Sequence, residues 1–366
     1  MHILVTADTV GGVWTYTREL VTGLSARDIR VTLVSFGGIP SSDQTTWLDS
    51  LPEVSYFPTG FSLEWMQDSA DDIEDSKRYL TGIIQECKPD LLHSSQYCYG
   101  SLATELPTVV VAHSDVMSWS EAVRGVQPND PWAQWYRGVV EQGLAGARLL
   151  VAPSVWMLER IESCYGTQPR AQVIYNGRTP TLFNPYVSKH GYAASVGRLW
   201  DEGKQARLLL QLTTPPLPVI LAGSATSPED IAAAHDFSAP GLELKRQLKE
   251  GEVRELLSHA AIYIATSIYE PFGLAPLEAA LSRCAIIAND VPSFREVWGD
   301  AAFYFRTNDA DSLVEALSLL HENRELRLSY ANRAYERARQ RYTAERMVDR
   351  YVQLYTSLLE HRVNAA

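Results

Sequence analysis

Two α/β domains in tandem, each a parallel sheet covered on both faces by helices, are the fold this sequence predicts. Three observations carry it. The chain has 366 residues, and at roughly 100–200 residues per domain that length suggests two. Short apolar runs alternate with amphipathic stretches along most of it, the rhythm of βαβ units. Residues 176–192, which hold Gly177, Pro180, Pro185 and Gly191, interrupt that rhythm and read as a linker.

The runs at 3–6, 31–35, 91–93, 109–112 and 149–152 read as buried parallel strands of the first domain. Residues 13–24 carry a helical pattern after the first of them. Beyond the linker the strand candidates are 193–196, 219–222, 262–265 and 285–288, with a helix over 274–282 between the last two. Each domain therefore looks Rossmann-like. The expected partition is 1–178, 192–343 and a final segment 344–366. In that segment Val348, Tyr351, Tyr355, Leu358 and Leu359 share one helical face.

Composition excludes several classes. Net charge is −12. The first 178 residues carry 12 Lys and Arg against 21 Asp and Glu, and the remainder 20 against 23. Neither half has the positive balance of a nucleic-acid binder, and the acidic first half argues against broad docking on anionic lipid. Cys87, Cys98, Cys164 and Cys284 form no C-x-x-C pair, so a zinc or dithiol site lacks support and free thiols in a reducing compartment are expected. The chain opens on a strand-like segment rather than a signal peptide, and no apolar run approaches the ~18 residues of a membrane span. A cytoplasmic protein is expected, with peripheral work at a membrane left open.

The densest chemical signal is Ser267-Ile268-Tyr269-Glu270-Pro271-Phe272-Gly273-Leu274-Ala275-Pro276-Leu277-Glu278. It leaves a strand and enters a helix, the place where doubly wound sheets bind ligands. Glu270 falls in the loop and Glu278 a turn or more into the helix. Carboxylates there can accept sugar hydroxyls. The amides of Gly273 and Leu274 would be unpaired at the helix start and attract phosphate. A lone Glu pair is usually solvated. Here the whole string resembles the Glu-x7-Glu signature of glycosyltransferase family 4, with Glu270, Phe272, Gly273, Leu274, Leu277 and Glu278 all matching.

Gly197-Arg198-Leu199-Trp200-Asp201-Glu202-Gly203-Lys204 is similar to the family's G-R-L…K segment. Negative charge grows on a nucleotide diphosphate as it leaves, and an Arg and a Lys can offset it in place of a metal. Each charge-assisted contact contributes about 1.5–3 kcal/mol. Asp309-Ala310-Asp311 resembles a metal-binding Asp-x-Asp, but its place before an amphipathic stretch reads as a helix start. No metal is expected.

Val10-Gly11-Gly12-Val13-Trp14 follows the first strand. It lacks the G-x-G-x-x-G fingerprint of a nicotinamide enzyme; members of the family it resembles have a glycine-rich loop at this place, near donor phosphate and acceptor, which makes Gly12 the candidate for close approach. Ala112-His113-Ser114-Asp115 follows another strand, where family members often place a histidine facing the donor sugar. Trp119, Trp132, Trp135 and Tyr136 cluster soon after. With Trp14 and Asp115, Trp119 and Trp132 are candidates for the acceptor.

Two stretches depart from the family pattern: Ser282-Arg283-Cys284-Ala285, where a glycine and a proline are usual, and Gly223-Ser224-Ala225, which lacks G-x-G. The resemblance implies two facing Rossmann-like domains (the GT-B fold), with the active site in the interdomain cleft. The first domain would bind acceptor, the second donor, and the last helix would pack back on the first. It implies a retaining, metal-independent transfer from a nucleotide-diphosphate sugar to an acceptor hydroxyl on a glycan, a lipid-linked intermediate or a small molecule, with no further cofactor. Arg198 and Lys204 would hold the diphosphate, Glu270 the sugar, Glu278 the ribose, and Gly273 and Leu274 the phosphates. A nucleotide-sugar epimerase and a non-catalytic nucleotide-sugar-binding protein are the alternatives.

Overall fold

The structure is a computed structural model describing residues 1–212, 214–227 and 237–363; residues 364–366 of the expected final segment lie outside these. The chain divides into two compact units. One comprises Met1–Glu121, Val126–Gly177 and the segment from Ala344 on; the other comprises Ala122–Gly125 and Arg178–Thr343.

Among the described residues the first unit carries seven strands: β1 (His2–Asp8), β2 (Arg30–Phe36), β3 (Val54–Pro58), β4 (Leu91–Ser94), β5 (Thr108–Val111), β6 (Leu149–Ala152) and β7 (Ala171–Val173). They form one parallel sheet in the order β3-β2-β1-β4-β5-β6-β7. The second unit carries six: β8 (His190–Val196), β9 (Val219–Ala222), β10 (Leu242–Lys245), β11 (Ala260–Ala265), β12 (Ala285–Asn289) and β13 (Phe303–Phe305). Their order is β10-β9-β8-β11-β12-β13, again parallel. Each order reverses direction once, between β1 and β4 and between β8 and β11. Such switch points open a crevice at the strands' carboxyl ends.

The central strands are fully buried, which is why they read as unbroken apolar runs. The Gly12–Ser25 helix places Leu20, Val21 and Leu24 on the first sheet. The final helix, Ala344–Val363, belongs to the same core through Met347, Val348, Tyr351, Leu354, Tyr355 and Leu358. Gly23 lies where the two helices meet. A Cβ there would come within 2.5 Å of Val348 Cγ2.

The expected linker is divided at Gly177. Arg178 onward counts with the second unit, where Arg178 N–H donates to Tyr342 O at 3.1 Å and Arg178 pairs with Thr343 as a parallel bridge. The helix Leu274–Leu281 ends in a Schellman motif. Arg283 N–H bonds Ala280 O, Cys284 N–H bonds Ala279 O, and Arg283 takes φ 63°. Glycine is usual at such a position. Here the strain is offset by Arg283 stacking over Tyr335 (4.8 Å) and Tyr186 (5.6 Å). No helix among the described residues is long and apolar enough to cross a membrane.

Candidate functional site

In the second unit the two loops on either side of the switch point converge. The β8 loop begins with Gly197 N–H donating to Ala222 O (3.0 Å), and Leu199 N–H to Ser224 O (2.8 Å). Gly223 holds φ +144°, and a Cβ on it would meet Gly197 O at 1.8 Å. A glycine is therefore required at the Gly223-Ser224-Ala225 turn although G-x-G is absent. Asp201 then caps a short 3-10 turn, its Oδ1 accepting from Gly203 N–H at 2.9 Å. Its Oδ2 takes the Arg198 guanidinium at 2.7 Å, and that guanidinium also lies over the Trp200 ring at 5.4 Å.

The β11 loop is laced to this turn by backbone. Gly203 O accepts from Ile268 N–H (2.9 Å) and Tyr269 N–H (3.3 Å), and Lys204 O accepts from Thr266 Oγ1 (2.7 Å). Asn289, at the end of β12 and fully buried, donates its Nδ2 to Thr266 O at 3.2 Å and Ser267 O at 3.4 Å. The result is a direct meeting of two residues quoted from segments far apart in sequence. Lys204 Nζ lies 2.8 and 2.7 Å from the two Glu270 oxygens, and Ser267 Oγ donates to Oε2 at 2.9 Å. Glu270 is largely buried, so this pair is screened far less than a surface one. An ammonium has three donors and a guanidinium five, which leaves both cations capacity for an anion.

Gly273 takes φ +90° and opens the helix Leu274–Leu281. The amides of Leu274 and Ala275 have no acceptor within that helix, and Pro276 has no N–H. The Phe272 ring is 2% exposed and packs edge-on against Tyr342 at 5.3 Å, where it braces the loop. Glu278 projects one turn further on, its Oε1 2.8 Å from Arg178 Nε. Tyr263 lies near both carboxylates. Burial and then Glu270 push its phenol up, and it donates to Val196 O at 3.1 Å. Asp309 is the N-cap of Ala310–Glu322, accepting from Ser312 N–H (2.9 Å) and pairing with Arg306 (2.9 Å).

In the first unit, Gly11 (φ 73°) precedes the Gly12–Ser25 helix. The position that needs glycine is Gly11, while Gly12 takes the first helical place; both are exposed. His113 follows β5. Its ring meets Tyr16 edge-on at 4.5 Å. Burial pushes its imidazole down to about 3, so it is neutral near pH 7, and its buried Nε2 has no hydrogen-bond partner among the described residues. An open ring nitrogen of that kind can exchange a hydrogen bond with a hydroxyl.

Two acceptor candidates are largely buried. Trp14 is 8% exposed, belongs to the core against Trp47 (5.9 Å) and Tyr56, and donates to Gln44 O. Asp115 is 2% exposed, and its oxygens take Ser118 N–H (2.7 Å), Tyr165 OH (2.6 Å) and Tyr136 OH (3.1 Å), so it holds the start of the Val116–Arg124 helix. Trp132 stacks on Tyr136 at 5.7 Å and donates to Met66 O. Trp119 and Trp132 stay partly exposed.

Sequence reasoning passed over Arg178, Asn289 and His93. His93 lies in the apolar run of β4, fully buried, with Tyr355 OH at 2.7 Å and Tyr16 OH at 3.1 Å. A polar residue inside a strand-like run is the signal that could have found it. Arg178 sits in a stretch without periodicity and offers no such signal.

Residues 10–181 match the profile of Glycosyltransferase Family 4, and residues 186–337 that of Glycosyl transferases group 1. A lipopolysaccharide core biosynthesis mannosyltransferase from Rhizobium leguminosarum is 27% identical over 249 residues, covering 59% of this chain and 70% of the relative. An alpha-maltose-1-phosphate synthase from Mycolicibacterium smegmatis is 24% identical over 292 residues, covering 70% and 74%. The solved sucrose-phosphate synthase of Thermosynechococcus elongatus shares the fold, with TM-score 0.79 and 15% identity over 99% of this chain and all of that one. The two profiles together run over nearly the whole chain, and the second contains the loops that meet at the second switch point: this protein belongs to glycosyltransferase family 4 and is a hexosyltransferase of the GT-B fold.

Proposed function

We propose that this glycosyltransferase retains anomeric configuration, works without a metal, and transfers a hexosyl group from a nucleoside-diphosphate sugar to a hydroxyl on a glycan or sugar-phosphate acceptor. The observation that carries the reading is the Lys204–Glu270 pair, with Arg198 on the same loop and the Leu274–Leu281 helix start beside it. Cations and free amides suit a diphosphate, and a largely buried carboxylate suits sugar hydroxyls.

In this reading Arg198 and Lys204 hold the diphosphate and stabilise the charge that grows on it. The amides of Gly273 and Leu274 contact phosphate, Glu270 orients the sugar, and Glu278 accepts the ribose hydroxyls. In the first unit, Gly12 and the neutral His113 are the further candidates for contacting substrate. The C1–O bond to the diphosphate breaks while the acceptor oxygen bonds C1 on the same face, and the acceptor's proton passes to the departing phosphate. Trp119 and Trp132 are the remaining candidates for the acceptor. Asp309 is committed to its cap and to Arg306, which argues against an Asp-x-Asp metal site there. The relatives named above are a transferase and a synthase and lend nothing to an epimerase. A non-catalytic binder would have no need of the full set of Arg198, Lys204, Glu270 and Glu278.

Arg198→Ala is expected to lower kcat by roughly 100-fold or more, as for loss of one preorganised donor to a developing charge, with the melting temperature little changed. Turnover of wild type should survive EDTA. Full activity in the variant would remove Arg198 from the mechanism. Activity lost in EDTA and restored by manganese would remove the metal-free claim.

A further inference from the structure

Arg178 has no counterpart among the roles assigned so far. It directly follows Asn176 and Gly177, in a stretch of chain without periodicity, and its side chain is 0% exposed. Its guanidinium spans two carboxylates: Nη2 donates to Glu250 Oε1 at 2.9 Å, and Nε lies 2.8 Å from Glu278 Oε1 as an ion pair whose N–H is not aligned for a hydrogen bond. Glu250 opens the Glu250–His259 helix. The guanidinium also lies over the Phe183 ring at 5.4 Å, and the Arg178 backbone is tied to Tyr342 and Thr343.

A buried ion pair is often no more stabilising than apolar residues of the same volume. Stability alone therefore gives little reason for an arginine here. Geometry gives a better one. A guanidinium is a rigid fork, and with its Nη2 end, its ring contact and its backbone all fixed, its Nε end is a fixed point. The side chain held against that point is Glu278. A carboxylate accepts several hydrogen bonds, so a grip on Oε1 is compatible with accepting a hydroxyl on Oε2.

We propose that Arg178 is a positioning residue for donor recognition: it fixes the Glu278 carboxylate in the orientation that reads the ribose diol, and so sets the preference for ribonucleotide over 2′-deoxyribonucleotide donors. The inference rests on the assignment of Glu278 to the ribose.

The experiment is calorimetric titration of the full chain with UDP, GDP and ADP, then with the 2′-deoxy counterpart of whichever binds most tightly. The readout is the ratio of the two dissociation constants, expected to be roughly tenfold or more in wild type for a lost hydrogen bond to a charged group. Glu278→Gln should bring the ratio towards one. Arg178→Gln should lower it by a comparable factor, and add nothing further in the Glu278→Gln background. Arg178→Gln leaves two partly exposed carboxylates without their cation and a cavity where the buried guanidinium stood, and can fail to fold, so Arg178→Lys is read in the same way, with a partial fall expected. A folded Arg178 variant that keeps the wild-type ratio overturns the proposal. Equal weakening of both nucleotides overturns it too, because a merely structural arginine would do that. If Glu278→Gln keeps the wild-type ratio, or no diphosphate binds wild type, the fault lies in the donor-site reading and the inference falls with it.

Discussion

A neutral imidazole is built into the first unit at His93. Burial, and then the proximity of His113, push it down to about 3 from its usual 6.5. The unfolded chain therefore takes up a proton near pH 6.5 that the folded chain refuses. The stability this group contributes is complete above about pH 6.5 and is lost as pH falls towards about 3, at most about 1.4 kcal/mol per pH unit. His113 acts in the same direction. In urea melts at pH 7, 5.5 and 4.5, His93→Gln should show a shallower decline than wild type; an unchanged slope would place the sensitivity elsewhere. Legibility at this scale was uneven. Lys204 and Glu270 could be picked from sequence because each sits in a string dense with matching residues. That they bond each other depended on Gly203 O accepting two amides from the other loop, and backbone pairing between loops leaves no mark on side-chain identity. The burial of Trp14 and Asp115 was hidden for the opposite reason. An aromatic after a glycine loop and an acid after strand β5 look exposed, yet one belongs to the core and the other caps a helix.

Among the elements, the helix pair Gly12–Ser25 and Ala344–Val363 gives the cleanest test of packing. Alanine in place of glycine in a helix gains roughly 1 kcal/mol in propensity. At Gly23 the added methyl meets a stiff β-branched side chain, Val348, at 2.5 Å. Overpacking costs about 1–3 kcal/mol. Gly23→Ala is therefore expected to lower the melting temperature, and Val348→Ala in the same chain to recover part of the loss relative to Val348→Ala alone. A stabilised Gly23→Ala would show that the helices shift apart without cost. Strands β1, β2, β4, β5 and β6 were readable because burial on both faces forces continuous apolar runs. The edge strands β3, β7, β10 and β13 were not, since their partly exposed faces dilute the pattern. The helix start at Asp309 was readable because a side-chain cap is local chemistry.

For the whole molecule, length and the 176–192 interruption were enough to divide the chain in two, but not to place the division. The unit boundary falls at Gly177, and it falls there because Arg178 is bound to Tyr342 and Thr343, residues more than 160 positions away. Pairing over that span is invisible to any local pattern. It also has a consequence for how the gene can be cut. The first unit contains the start of the chain and its final helix, so in topology the second unit, apart from Ala122–Gly125, is a single insertion of about half the protein. Its two ends, Arg178 and Thr343, are already bridged. Such a piece has the form of a cassette. Residues 178–343, expressed alone or with the ends joined by a short glycine–serine link, are expected to fold and to bind nucleoside diphosphate, with a rise in melting temperature reflecting about 2.7 kcal/mol at a hundredfold excess over Kd. An excised fragment that aggregates in both forms would show that the host completes its core. One that folds and binds would mean that donor specificity can be exchanged between relatives as a single block, leaving the host's sequence untouched.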